Sequence, residues 1–249
     1  MVDLARYEKQ ILFKPIGRNG QIRLGQSKVG IIGVGALGSN LANILCRAGV
    51  GRIILADQDR VELSNLQRQM LFTERDIGHP KAIRAARRLT KINSDVAVEA
   101  FFEKVSQENF VELFKDSDLL FDASDNFPTR FLINDMSLKL GIPWVFSGVT
   151  ASSGQSMLIV PTKTACLGCF IPDEDPGENF PTVNNSGIIA SIVASIASIS
   201  AAAGIKYLME KTADSNLVYF DVWQQEFFKT KIEASLNCLR CRSEKLRSK

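Results

Sequence analysis

The chain has 249 residues, 45% of them hydrophobic and 23% charged, with a formal net charge of +3; that is room for one large α/β domain or two small ones, with the balance of a soluble globular protein. So mild a positive charge, with no basic run interleaved with aromatics, argues against nucleic acid as a partner. The opening residues lack the apolar core of a secretory signal, so the five cysteines are expected in the reducing cytoplasm, where Cys-x-x-Cys pairs read as metal ligands before disulfides.

In chain order, apolar runs alternate with helical patterns. Lys28 to Gly33 reads as a first buried strand and Ala36 to Ala48 as the helix after it. Arg52 to Ala56 is a second strand, ending on Asp57, and Lys81 to Ile92 is helical. A strand near Val96 to Phe102 follows, then a strand at Asp118 to Asp122, a helix at Thr129 to Leu140 and a strand at Pro143 to Ser147. This order predicts an α/β fold with right-handed crossovers: a Rossmann-like, doubly wound, mostly parallel sheet.

Farther on the pattern changes. Gly154 to Val160, Leu217 to Val222 and Glu226 to Ile232 read as strands, the last two close enough for an antiparallel hairpin. The C-terminal part is therefore expected to be an antiparallel extension of the sheet. Between them, Ile171 to Asn185 is rich in Pro, Asp, Glu and Asn without periodicity, and reads as a mobile loop over the site. Gly187 to Ile205 carries no charge but is built from Ala, Ser, Ile and Gly, with serines at 191, 195, 198 and 200. That composition favours a buried helix making helix or subunit contacts over a membrane span. No internal repeat divides the chain, so one domain is expected, and the basic end from Arg240 to Lys249 reads as a solvated tail.

Gly33-x-Gly35-x-x-Gly38 lies between a predicted strand and a predicted helix. The glycines permit a tight turn, and the helix N-terminus offers free N–H groups to phosphate. Asp57, at the end of the second strand, falls where a ribose hydroxyl would be held. The loop indicates a nucleotide without saying which. A dinucleotide's pyrophosphate is satisfied by the helix N-terminus, whereas ATP carries about four negative charges and calls for fixed cations and a metal. Arg68, Lys81 and Asp125, the last a candidate Mg²⁺ ligand, lie near the carboxyl ends of the parallel strands and supply candidates. Each also has a plain reading: a surface partner of Glu62, a solvated helix residue and a helix cap. His79 reads as a turn residue, and Cys46 as a small buried hydrophobe. Cys166/Cys169 and Cys238/Cys241 have the spacing of a structural Zn²⁺ site.

The runs Arg6-Tyr-x-x-Gln10, Gly33-x-Gly35-Ala36-Leu-Gly38, Asp57-x-Asp59-x-Val-x-Leu-Ser-Asn-Leu-Gln-Arg-Gln69, Gly78-x-Pro-Lys81 and Asp122-Ala-Ser-Asp-Asn126 resemble the MoeB/ThiF/HesA family, prokaryotic relatives of ubiquitin-activating enzymes. The similarity extends from about Arg6 to Cys241. The resemblance implies an adenylyltransferase that uses Mg-ATP to activate the C-terminal glycine of a small ubiquitin-like sulfur carrier ending in Gly-Gly. It implies that Gly33, Gly35, Ala36 and Gly38 cradle the nucleotide, that Asp57 holds the ribose, and that Asn65, Arg68 and Lys81 contact the phosphates. Asp125 would coordinate Mg²⁺ or position the reacting groups, and Arg6 would act on the triphosphate of the other subunit of a homodimer. The four paired cysteines would bind zinc away from the chemistry. It further implies a helical arm at 1–26, a nucleotide-binding core at 27–160, a crossover loop at 171–187, and a part at 188–241 serving dimer, carrier and zinc.

Two departures stand out. Family members often carry a cysteine in the crossover loop to take the activated carrier, and its counterpart here is Val183. Reaction is therefore expected to stop at the acyl-adenylate. Ala36 stands where glycine is frequent, which leaves a backbone N–H contact intact. The chain ends soon after Cys241, so no rhodanese domain is expected to follow. Three other readings compete: adenylation of a short ribosomal peptide, for which the missing cysteine is compatible; a nicotinamide oxidoreductase; and a nucleotide-binding scaffold, which would not need Arg6, Arg68, Lys81 and Asp125 together.

Overall fold

The structure is a computed structural model that describes residues 4–171 and 183–241. Its centre is an eight-stranded sheet: β1 (Lys28–Ile32), β2 (Arg52–Ala56), β3 (Ala97–Phe101), β4 (Leu119–Asp122), β5 (Trp144–Thr150), β6 (Ser153–Ile159), β7 (Asn216–Asp221) and β8 (Glu226–Lys231). The spatial order is β3-β2-β1-β4-β5-β6-β7-β8. Strands β3 to β5 on that list pair in parallel, and β5 through β8 pair antiparallel, as the residue pattern predicts.

The parallel strands are apolar on both faces because helices cover both. Successive residues point opposite ways, so Ile31, Ile53, Leu55 and Phe121 enter one core while Ile32, Ile54 and Leu120 enter the other. Helices α3 (Ala36–Ala48), α4 (Lys81–Ile92) and α8 (Ala190–Glu210) line the first core; α5 (Phe110–Phe114) and α6 (Phe127–Leu140) line the second. In α4 the residues Ala82, Ala85 and Leu89 are buried while Arg87 and Lys91 face water, which is the amphipathic stripe of a surface helix. Helix α3 stops on Gly49, whose φ of +82° suits the left-handed cap.

Two short helices, α1 (Glu8–Ile11) and α2 (Gly17–Gln26), form the N-terminal arm. The arm is fixed to the carboxyl ends of α3 and α4. Asn93 Nδ2 donates to Tyr7 Oη at 2.8 Å and to Cys46 O at 2.9 Å, and Gln10 Nε2 donates to Ala48 O at 2.9 Å. A single turn, α7 (Val183–Ser186), precedes α8. Helix α8 has the length and apolarity to cross a membrane, yet it packs on α3, β5 and β6. Its Ser200 hydroxyl lies 2.9 Å from Ser147 Oγ and 2.8 Å from Ser156 Oγ, a buried hydroxyl knot that ties the helix to two strands. The buried-helix expectation holds, shifted to 190–210.

Helix α6 begins two residues before the pattern suggests. Asn126 caps it by accepting from Thr129 N at 2.9 Å, and Pro128 sits in the first turn, where its missing N–H has no cost. Strand β5 extends to Thr150 because β6 pairs along its whole length.

Candidate functional site

Ile32 of β1 is level with Ala56 of β2 and with Asp122 of β4, so three strands end side by side. The glycine loop, Asp57 and the Ala123–Asn126 turn all leave the sheet there. Gly33 has φ +91°, and a Cβ on it would lie 2.6 Å from Ala123 O. A Cβ on Gly38 would lie 2.0 Å from Gly33 O. These two glycines let the turn press against β4 and against its own helix. Gly35 differs: the nearest atom to a Cβ there is Gln69 Nε2, at 3.7 Å. Space is open above Gly35, which with Ala36 begins α3, whose N-cap has no side-chain bond. Unpaired N–H groups at such an end suit phosphate.

Asp57 is nearly buried and accepts from Val34 N at 2.6 Å through one oxygen and from Asp59 N at 2.7 Å through the other. Burial raises its pKa; the two backbone N–H groups and the charge of Lys81 pull the other way without cancelling it. Each oxygen keeps a lone pair for a hydroxyl donor. Lys81 is 6% exposed, and its Nζ lies 3.0 Å from Asp59 Oδ2. The ammonium is thus buried while its carboxylate partner is more than half exposed.

The Ser64–Gln69 run folds over the start of α3. A 3₁₀ turn at Leu63–Asn65 buries Asn65, whose Oδ1 accepts from Glu62 N at 3.2 Å. Arg68 Nη1 donates to Ser64 O at 2.9 Å, and Asn40 Nδ2 donates to Arg68 O at 3.4 Å. The plain reading of Arg68 as a partner of Glu62 is not what the structure shows. Next to it, Gln69 is 3% exposed with an unpartnered Oε1.

Asp125 is exposed, its Oδ1 accepting from Asn126 Nδ2 at 3.1 Å. Behind it lies a pair that sequence reasoning missed: fully buried Asp122, with Arg130 Nε 3.4 Å from its Oδ2. Burial pushes the Asp122 pKa up, against Arg130 and Ser124, which lower it. The signal available was an acid ending a strand and an arginine on the first turns of the next helix.

Arg6 is elsewhere. Its Nη1 donates to Ile92 O at 3.2 Å, at the carboxyl end of α4, whereas Lys81 begins that helix. At about 1.5 Å per residue, that puts Arg6 roughly 17 Å from its own chain's Lys81. Val183 is half-buried at the start of α7. The greater part of the expected 171–187 loop, including Asn179, lies outside the described residues.

The four paired cysteines converge. All their sulfurs lie within 4.8 Å of one another, with Cys166–Cys169 at 3.8 Å and both Cys166–Cys238 and Cys169–Cys241 at 3.6 Å. A tetrahedron with Zn–S bonds of about 2.3 Å has edges of about 3.8 Å, so the donor set fits zinc. Burial first, then the neighbouring sulfurs, pushes Cys166 and Cys241 well up. Burial also acts on Cys238, but the N–H groups of Cys241 and Arg240 outweigh it and hold this thiol low. The lobe sits on α6, where Asn134 Oδ1 accepts from Leu167 N at 2.9 Å and Arg240 pairs with Asp135 over the Phe131 ring. Cys46 is buried, and that burial lifts its pKa to about 11, leaving an inert thiol.

Residues 7–241 match the model of the ThiF family. A sulfur carrier protein ThiS adenylyltransferase of Bacillus subtilis is 42% identical over 223 residues, 89% of this chain and 66% of that protein. A sulfur carrier protein adenylyltransferase of Thermus thermophilus is 36% identical, with 97% of this chain and 92% of that protein covered. Among solved structures, Escherichia coli MccB with ATP superposes with a TM-score of 0.83 at 24% identity, over 95% of this chain and 74% of that one; this shows shared fold.

Proposed function

Because the chain belongs to the ThiF family, we propose that it is an ATP-dependent adenylyltransferase acting on the C-terminal glycine carboxylate of a small ubiquitin-like sulfur carrier. The observation that carries this reading is Lys81, a buried cation paired with Asp59 and close enough to act on the charge of Asp57, which leaves the sheet where the glycine loop does. A carboxylate oxygen of the carrier attacks the α-phosphorus, a P–O bond forms, and the bond to the β-phosphate oxygen breaks, releasing pyrophosphate. The carboxylate and the triphosphate are both negative, so fixed cations do most of the catalysis.

In this reading Gly33, Gly35, Ala36 and Gly38 seat the phosphates on the N-terminus of α3, and Asp57 receives a ribose hydroxyl. Arg68, Asn65 and Lys81 bind phosphate oxygens. Asp125 would hold Mg²⁺, which would supply positive charge against the phosphates. Zinc is proposed for the cysteine site, where it fastens the 166–169 turn to residues 238–241. Arg6, too far from its own Lys81, serves the second subunit of a homodimer. The whole chain is read as one adenylating domain working in the cytoplasm. With Val183 in place of a loop cysteine, the product released to a separate thiol is the acyl-adenylate.

The test is ATP–pyrophosphate exchange, which should need the carrier. Asp125→Ala should cut it by about 10² or more while leaving thermal unfolding unchanged. Normal exchange by that variant removes the metal role. The absence of a thiol at Val183 is also compatible with a second reading, adenylation of a short ribosomal peptide. Mass spectrometry after incubation with ATP and either substrate separates the two by which one gains AMP.

A further inference from the structure

Asp125 is the exposed member of a turn whose neighbours on both sides are fixed. On the N-terminal side, Asp122 Oδ1 accepts from Ser124 N at 2.9 Å and from Ser124 Oγ at 2.6 Å. Arg130 Nη2 donates to Ser124 O at 3.2 Å. All three polar groups of Ser124 are therefore held by the two members of one ion pair, Asp122 and Arg130. Asp122 is fully buried and the Arg130 side chain is 11% exposed. The guanidinium is itself located between two rings, 5.0 Å from the Phe127 centroid and 5.6 Å from that of Phe146. On the C-terminal side, Asn126 caps α6 and donates to Asp125 Oδ1.

Stability alone gives a poor account of this arrangement. Desolvating two charges costs several kcal/mol, and a buried ion pair is seldom more stabilising than apolar residues of the same volume. Asp122 Oδ2 and Arg130 Nε, 3.4 Å apart, do not even form a hydrogen bond with each other. What the pair does provide is direction: one carboxylate oxygen and one N–H of a guanidinium held between two rings grip a single residue at its N–H, O–H and C=O, and so fix the peptide plane that leads into Asp125.

We infer that Asp122 and Arg130 are positioning residues, which orient the Asp125 carboxylate through Ser124. The inference rests on the reading of Asp125 as the group that meets the metal and the reacting phosphate. Lysine at 130 keeps the charge but loses the fork, and alanine at 124 removes one of the three contacts while leaving the ion pair.

Arg130→Lys, Ser124→Ala and Asp125→Ala are compared in carrier-dependent ATP–pyrophosphate exchange at a series of Mg²⁺ concentrations, with thermal unfolding alongside. Arg130→Lys should lower kcat about tenfold to a hundredfold, and Ser124→Ala about tenfold, the scale of a misplaced reacting group. Both should raise the Mg²⁺ concentration needed for half-maximal rate several-fold, at unchanged KM for the carrier; a mere strut would lower the unfolding temperature without moving the Mg²⁺ dependence. If Arg130→Lys does not fold, Ser124→Ala decides. Should Asp125→Ala abolish exchange while folded Ser124→Ala and Arg130→Lys keep kcat and Mg²⁺ dependence within about twofold, the positioning role is wrong. Should Asp125→Ala exchange normally, the reading of Asp125 falls, and the positioning role with it.

Discussion

Replacing the second and third glycines of the loop separates what each is for. In Gly38→Ala the new methyl meets Gly33 O at 2.0 Å and Gly33 C at 2.9 Å, more than an ångström inside ordinary contact. Neither atom is free to yield, because Gly33 N donates to Ala56 O at 2.9 Å and the turn lies against Ala123. Overpacking of this kind costs about 3 kcal/mol or more. For a chain of this size that is a fall in Tm of roughly 6–12 °C. Gly35→Ala is the opposite case, since its methyl meets only Gln69 Nε2 at 3.7 Å. It should unfold within about 2 °C of wild type, yet bind ATP at least about tenfold more weakly, a loss of about 1.4 kcal/mol, because the methyl stands where a phosphate would rest. Differential scanning fluorimetry and calorimetric titration with Mg-ATP measure the two quantities on the same samples. Wild-type melting by Gly38→Ala would refute the packing argument, and wild-type ATP affinity in Gly35→Ala would remove the phosphates from this loop.

Asp76 caps a 3₁₀ turn through Thr73 N at 2.8 Å and accepts from Arg84 Nε at 2.6 Å, and although burial raises its pKa, these partners bring it below the ordinary 3.8. A lowered carboxylate contributes stability above that ordinary value and loses it as pH falls through the folded one, so Asp76→Asn should cost about 2 kcal/mol at pH 7, with the gap closing in acid; a gap constant with pH in urea titrations contradicts this. Cys166→Ser should abolish bound zinc in elemental analysis and lower Tm by about 5 °C or more, since metal binding at such a site is folding energy; full metal content in the variant argues against the four-sulfur site. Mixing Arg6→Ala with Asp125→Ala protomers should restore exchange. Random pairing makes half the dimers mixed, each with one sound site, so about a quarter of wild-type activity is expected; no recovery means that Arg6 does not act across subunits.

The elements with strong local punctuation were legible from the residues alone. Helices 36–48 and 81–92 and strand 52–56 stand where their patterns put them, each bounded by a glycine, a proline or a charged turn. The five-residue helix Phe110–Phe114 is too short to show a period, and Gly17–Gln26 contains three glycines, so it is helical through packing against α8 rather than through propensity. The arm that contains it was expected from the family resemblance alone. At the site, Gly33, Asp57, Lys81 and Asp125 could be read because each sits next to a strand or helix end. Asp122 and Arg130 were harder: an acid ending a strand and an arginine on the first turns of the next helix look like a hydrophobic run's end and a solvated face until the crossover folds one onto the other. Gln69 was part of the quoted family run, but its burial depends on the turn closing over α3.

The order in which α8 and its seat occur along the chain matters for biosynthesis. Its main partners among the described residues, α2, α3, β4, β5 and β6, all precede it, while β7 follows. When this apolar, alanine-rich helix leaves the ribosome, the surface that shelters it has already been translated. Two of the three hydroxyls in its polar knot, Ser147 and Ser156, are likewise waiting for Ser200. A greasy segment encoded late is thus exposed for the shortest time, and a circular permutant that placed it first would lose that protection and favour aggregation.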